Sequence, residues 1–231
     1  MKYRIVEQTR PGGLLAQVYR EVLAPAFPPE EIESESSVAE TLEAGLGSLL
    51  VAVDESGKPA GAAFGRWWEA SRVQMLVNLA VGPGTRGHGL GGRLLQDAVD
   101  VWRERYDPCL IVAEIESPDA RMVHEAYGDP RRRLGFYESA GARVLDLPYF
   151  QPGIGGVSRR VNGMLLLAIH ADPSFTPDRP DRLSGKPLRS FMTDYLLAAE
   201  GQAPSDWDAK ALFKAIDREG GVPMGRWGTS A

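Results

Sequence analysis

Three extended stretches, Leu49 to Asp54, Ala60 to Glu69 and Val73 to Val81, follow one another with almost no chain between them. Only "ESGKP" and the region around Ala70 to Arg72 separate them. Links that short join antiparallel neighbours, because a parallel pair needs about a dozen or more connecting residues. The meander runs straight into "VGPGTRGHGLGG", six glycines in twelve positions. Beyond it Leu90, Leu94, Ala98, Val101 and Trp102 recur at the spacing of one apolar helix face. Glycines let backbone N–H groups approach a ligand and adopt positive φ, and a helix starting there adds its dipole, so the unit suits a phosphate.

Three phosphate-binding patterns compete for the loop. The nucleotide P-loop is excluded because no Gly-Lys-Ser/Thr follows the glycines. Gly82, Gly84 and Gly87 satisfy the dinucleotide pattern G-x-G-x-x-G formally, but that pattern belongs to a βαβ unit, and the meander and Pro83 argue against it. The third pattern is that of a family. "LAVGPGTRGHGLGGRLL" resembles the acyl-CoA-binding segment of the GNAT superfamily of N-acetyltransferases, with Arg86, Gly89 and Gly91 in the loop pattern and Leu79 and Val81 at the strand end. "RRLGFYESAGARV" is similar to the family's later helix, where Phe136, Tyr137 and Gly141 take the aromatic-pair and glycine places.

The resemblance implies an α/β fold of GNAT type: a mixed, mostly antiparallel central sheet with flanking helices. Residues 1–170 would be the acyl-CoA-binding catalytic domain, and 171–231 a proline-rich linker with a helical C-terminal extension. Tyr3, Ile5 and Glu7 alternate as a first strand, a helix carries Leu14 to Val22 and ends before Pro25, and Ser37 with Glu40 forms a capping-box pattern for a second helix. "CLIVAEIE" reads as a buried strand; its helical crossover makes it parallel to Val73 to Val81, and in this family those strands splay to admit pantetheine. "SPDARMVHEAYGDP" suits either a substrate loop or a surface excursion. Arg143 to Phe150 and Gly163 to His170 read as a closing antiparallel pair. In the tail, short helices are expected over 188–200 and 206–218, with Gly201 and Gly220 as caps. Phe191, Tyr195, Leu196, Trp207, Leu212, Phe213 and Ile216 must pack on something, either the core or, preferred here, a second copy in a homodimer.

Composition narrows the partners. The formal net charge of −5 leaves nucleic acid without an electrostatic driver and favours a cationic small molecule. "MLLLAI" falls far short of the ~20 apolar residues that span a bilayer. A single cysteine, Cys109, and a charged "MKYRIVEQTR" start point to the cytoplasm.

Acyl transfer from a thioester to an amine needs aligned reactants, a route for the amine proton, a stabilised oxyanion and a proton for the departing thiolate; no metal is required, and alignment alone lowers the barrier substantially. By resemblance, the backbone of Leu79, Ala80 and Val81 pairs with pantetheine. The amides of Gly87, His88, Gly89, Leu90, Gly91 and Gly92 hold the pyrophosphate, and Arg86 adds charge. Tyr137 sits where family members carry the tyrosine that protonates the thiolate. The family's common glutamate on the strand before the loop falls at Met75, which cannot accept a proton, so the base is sought, acting directly or through water, at Glu114 or Glu116, which share one strand face. Glu114 matches a position where family members often place an acid, and Glu116 especially suits plain exposed charge at a strand end. Arg131 to Arg133 suit either a nucleotide phosphate or a solvated helix start. Trp67, Trp68 and Tyr149 border the family's acceptor side and suit an amine through cation–π contact. The resulting expectation is an acetyl-CoA-dependent N-acetyltransferase acting on a primary amine of a small molecule in a ternary complex. Its rivals are transfer of a longer acyl group or to an oxygen acceptor, and a non-catalytic acyl-CoA sensor or scaffold.

Overall fold

The computed structural model describes residues 3–28, 32–119, 128–153, 159–176, 179–203 and 205–228. The chain forms two compact units, residues 1–67 with 74–107, and 68–73 with 108–231.

In the first unit β1 (Arg4–Gln8) is followed by α1 (Gly13–Val18), which runs on through a π-helical turn, Tyr19–Leu23, and a 3-10 turn, Ala24–Ala26. The helical path therefore passes through Pro25, which the last tight turn admits near its start. α2 (Glu35–Glu43) is capped three residues before the Ser37 of the capping box expected at Ser37 and Glu40. Its cap is Ser34, whose hydroxyl accepts the Ser37 N–H at 3.2 Å, while the Ser37 hydroxyl donates to Glu33 Oε2 at 2.7 Å. A neighbouring serine with the same chemistry, placed one turn earlier, took the role.

The meander is as expected: β2 (Gly47–Val53), β3 (Pro59–Trp68) and β4 (Val73–Val81). β1, β2 and β3 pair antiparallel, from Arg4↔Val53 and from Gly47↔Arg66, and the unit's strand order is β1-β2-β3-β4. The Asp54 carboxylate closes the first link by accepting from the Ser56 and Lys58 amides at 2.9 and 3.0 Å. Leu15, Val18, Val38 and Leu42 pack with Leu49, Val51 and Phe64 in one buried core. α3 (Leu90–Tyr106) buries Leu90, Leu94, Leu95, Ala98 and Trp102. Gly61 and Gly65 stand on one face of β3, where a Cβ would meet Leu94 Cδ1 at 2.8 Å and Trp102 Cζ2 at 2.5 Å, so their bareness lets α3 approach the strand.

In the second unit β5 (Leu110–Glu116) precedes α4 (Pro130–Ser139), whose Asp129 cap accepts the Arg131 amide at 2.9 Å. The expected pair over 143–150 and 163–170 divides. β6 (Arg143–Leu145) contributes three residues beside the eventual partner strand, and β7 (Phe150–Gln151) leaves to pair with β8 (Val161–Asn162). β9 (Met164–Ala171) lies antiparallel to β5, with Glu114 opposite Leu166, and on its other edge pairs with β6.

The tail forms β10 (Arg182–Leu183), α5 (Gly185–Glu200), α6 (Trp207–Ile216) and β11 (Val222–Gly225). Both expected helices are present. Gly201 caps α5 at φ +71°, whereas Gly220, also at positive φ, lies beyond the Asp217 end of α6. β11 is a strand that no periodicity announced; it pairs with β6, giving the order β5-β9-β6-β11-β10. Leu188, Phe191, Met192, Leu196 and Leu212 are fully buried, so the apolar tail surface that suggested a second chain is largely covered, leaving Leu197 and Trp207 exposed at 47% and 80%. Among the described residues no helix is long and apolar enough to cross a membrane, and no His/Cys/Asp/Glu group is arranged to hold a metal.

Candidate active site

The glycine loop is built by backbone. Where β4 ends, the Gly82 N–H donates to the Ala60 carbonyl at 2.8 Å, and the Thr85 hydroxyl donates to the Gly82 carbonyl at 2.8 Å. These bonds fold Pro83–Thr85 into a 3-10 turn. Gly87 and Gly89 then take φ of +81° and +78°, which residues with a Cβ avoid. Gly89 caps α3 without a side-chain hydrogen bond, and Arg93 is the residue whose amide returns to the Gly89 carbonyl, at 3.1 Å. The amides of Leu90, Gly91 and Gly92 therefore belong to the first helical turn, which has no intrahelical acceptors. A Cβ placed at Gly84, Gly87, Gly89 or Gly92 would meet nothing within 4 Å. An open cradle of bare backbone at a helix N-terminus fits a pyrophosphate.

Around the cradle, Arg86 and His88 are exposed, and the His88 ring is tied to the Arg86 carbonyl at 2.9 Å. Leu79 and Val81 are half-buried and Ala80 is buried, as alternation on β4 requires.

The second unit holds a carboxyl of a different kind. Glu114 and Glu116 share the half-buried face of β5, yet the structure gives them separate partners. Glu116 is paired with Arg133 of α4 at 3.6 Å. Glu114 receives hydroxyls from two tyrosines: Tyr149 donates to Oε1 in a very short hydrogen bond, and Tyr195 reaches Oε1 and Oε2 at 3.1 and 3.2 Å. Gln151 Nε2 adds a third donor at 3.3 Å to Oε2. Burial pushes the Glu114 carboxyl up to about 7, against the downward pull of these donors. Burial, and then the adjacent carboxylate, hold the Tyr149 hydroxyl well above the usual tyrosine range.

Tyr137 is 7% exposed on α4, edge-on to Phe136 at 5.1 Å between ring centres. Burial raises its hydroxyl to about 12, with the Arg133 charge pulling the other way. Arg131 lies against Asp119 at 3.3 Å at the start of α4. Met75 is buried and apolar.

The two tryptophans part company, as neighbours on a strand must. Trp67 stacks on Tyr106 at 5.0 Å in the first unit. Trp68 meets Phe191 and Tyr195 edge-on at 5.7 and 5.8 Å in the second. Trp68 and Tyr149 thus join the surroundings of Glu114, and Trp67 belongs to a different cluster. Sequence reasoning missed Tyr195 and Gln151 as partners of Glu114; for Tyr195 the available signal was its place on the apolar stripe of α5.

Residues 15–128 match the model of the acetyltransferase (GNAT) family. This chain is a GNAT acetyltransferase. The matched span contains the glycine loop, Glu114 and Glu116, and ends before Tyr137, Tyr149 and Tyr195. Among solved structures, a GNAT-family protein from Bacteroides thetaiotaomicron superposes with a TM-score of 0.55 at 20% identity, over 85% of this chain and 99% of its own, which supports the same fold beyond the matched span. The ribosomal-protein-S18-alanine N-acetyltransferase from Escherichia coli gives 0.49 at 19% identity over 71% of this chain and 92% of its own. A GNAT acetyltransferase from Elizabethkingia anophelis with acetyl-CoA bound gives 0.45 at 16% identity, over 72% of this chain and 96% of its own. No curated protein matches in sequence. Membership makes acetyl-CoA the acyl donor of this GNAT chain.

Proposed function

We propose that this acetyltransferase acetylates a primary amine of a small molecule by direct attack, with Glu114 as the base that takes the amine proton. The observation carrying this reading is the Glu114 carboxyl, part-buried and held near 7 among hydroxyl donors. A base poised near neutrality is half ionised at working pH and still basic enough to accept a proton, directly or through one water. The donor supplies an acetyl group activated as a thioester. The chain's part is to hold its phosphates on the amides of residues 87–92 with Arg86 beside them, to take the proton that frees the nitrogen lone pair before the N–C bond forms, and to protonate sulfur as the C–S bond breaks, the second nitrogen proton replacing the one given to sulfur. Tyr137 suits the last task because burial keeps its hydroxyl protonated at any working pH. The aromatic rings of Tyr149, bonded to Glu114, and of Trp68, edge-on to Tyr195, favour an amine that arrives as a cation.

Thiol release from acetyl-CoA across a panel of polyamines, aminoglycosides and amino-acid amines tests the reading, with propionyl- and butyryl-CoA in parallel. Turnover with an amine and a preference for acetyl-CoA are expected. Coenzyme A should raise the melting temperature and NAD should not. A coenzyme A shift without turnover of any amine would favour the sensor, whose best support is Met75 in the place of the family glutamate.

A further inference from the structure

The Glu114 cluster has one member that comes from the C-terminal extension, beyond the span the family model matches. Leu188, Phe191, Met192, Tyr195 and Leu196 follow the helical repeat along one face of α5, and all but Tyr195 are fully buried. The Tyr195 ring is stacked on Phe191 at 5.5 Å with 14° between planes, and its edge contact with Trp68 completes a three-ring group. Arg160 holds the C-terminal end of the helix, with Glu200 at 2.6 and 2.7 Å and Asp206 at 2.8 Å. The Tyr195 hydroxyl is thereby carried on a fixed helix face to a point almost equidistant from the two Glu114 oxygens.

We propose that Tyr195 is a positioning residue for Glu114, so that the C-terminal helix is a working part of the acetyl-transfer site and not an appendage to it. The inference rests on the reading of Glu114 as the base. A hydroxyl that bridges both oxygens restrains rotation of the carboxylate, and a donor to the ionised form lowers its affinity for a proton. Burial alone would leave Glu114 protonated, and unable to act as a base, over more of the neutral range; Tyr195 opposes that. Tyr149 supplies the second such donor from the segment before β7. Of the charged groups on α4 and α5, Arg133 pairs with Glu116, Arg131 with Asp119, Arg189 with Asp217 and Glu200 with Arg160, Glu138 accepts the Trp227 amide, and Arg132, Lys186 and Asp194 are the remaining charges. On β9 the residue opposite Glu114 is Leu166, and His170 lies toward the other end, opposite Ile111.

The test is a carboxyl titration of the full chain by ¹³C NMR with labelled glutamate, using Glu114→Gln to assign the signal. Tyr195→Phe keeps the stacked ring and removes one donor to the carboxylate, so the Glu114 midpoint should rise by about one pH unit. With the best amine of the panel, the acidic limb of kcat/KM should move by the same amount, with activity recovered at high pH and the coenzyme A melting shift unchanged. Placing 3-fluorotyrosine at 195 strengthens the donor and should move the midpoint down, which keeps the test open should Tyr195→Phe fold poorly. A midpoint unmoved by either change, or a loss of rate uniform across pH, overturns the role of Tyr195. Full turnover by Glu114→Gln instead overturns the base reading, and the carboxyl titration still reports separately whether Tyr195 acts on Glu114.

Discussion

The glycine loop and the Glu114 cluster solve opposite problems. Residues 81–92 are contiguous, and their ligand groups are backbone amides made available by the absence of side chains at positive φ. The cluster takes one side chain each from positions 114, 149, 151 and 195, and its central group is held near neutrality by surroundings that those segments create. A backbone site is broken by adding atoms, and a side-chain site by removing them. The donor half should therefore respond in binding and the acid–base half in rate.

The sharpest division is expected from Glu114→Gln, which should lower kcat by about 10²–10⁴-fold, the range for a positioned general base. Its coenzyme A melting shift should stay intact. Loss of coenzyme A binding in this folded variant would break the division between the halves. Tyr137→Phe removes a proton donor used only as the thiolate departs, so kcat should fall on the order of tenfold to a thousandfold with little change in acetyl-CoA affinity. Unchanged kcat at saturating substrates would reduce Tyr137 to packing.

Gly89→Val acts on the other half. Its φ of +78° strains any residue with a Cβ, by about 1–3 kcal/mol. Relief of that strain would turn the loop amides away from the phosphates, so coenzyme A affinity should fall about tenfold to a hundredfold, read by calorimetry or by loss of the melting shift. Turnover at saturating donor should change far less. A Gly89→Val chain that binds coenzyme A normally would mean that the cradle is not the phosphate site.

The smallest effect concerns stability, and its sign is set by linkage. Folding raises the Glu114 carboxyl from 4.5 to about 7, so its favourable contribution is complete below 4.5 and is lost as pH rises through 7, where the native state must hold a buried charge that the unfolded chain leaves in water. Glu114→Gln never carries that charge. Urea unfolding at pH 8 should find this variant more stable than the parent, by on the order of 1–3 kcal/mol, with the gap closing toward pH 5. A constant gap across pH would place the cost in packing instead of ionisation.

What could be read from the chain before its structure was whatever short-range chemistry specifies. The meander followed from links too short for a parallel crossover, and the loop from glycines beside an apolar helix stripe. The tail helices followed from periodicity, with the Gly201 cap of α5. Local signals also erred locally: the α2 cap fell to Ser34 because Ser34, Ser36 and Ser37 offer the same hydroxyl, and packing of Val38 and Leu42 selects the turn. The two-residue period puts Glu114 and Glu116 on one face, and the family resemblance favoured Glu114, at a strand position where members often place an acid. The tertiary structure added what no motif carries, their partners: a cation for Glu116 and two tyrosines for Glu114. Those tyrosines stand 35 and 81 residues away in sequence, and periodicity, which reports on neighbours a few residues apart, carries no information at that range. Their convergence is decided by the register of β5 against β9, by the turn into β7, and by the packing of α5, and the proton affinity of Glu114 follows from that burial and those donors.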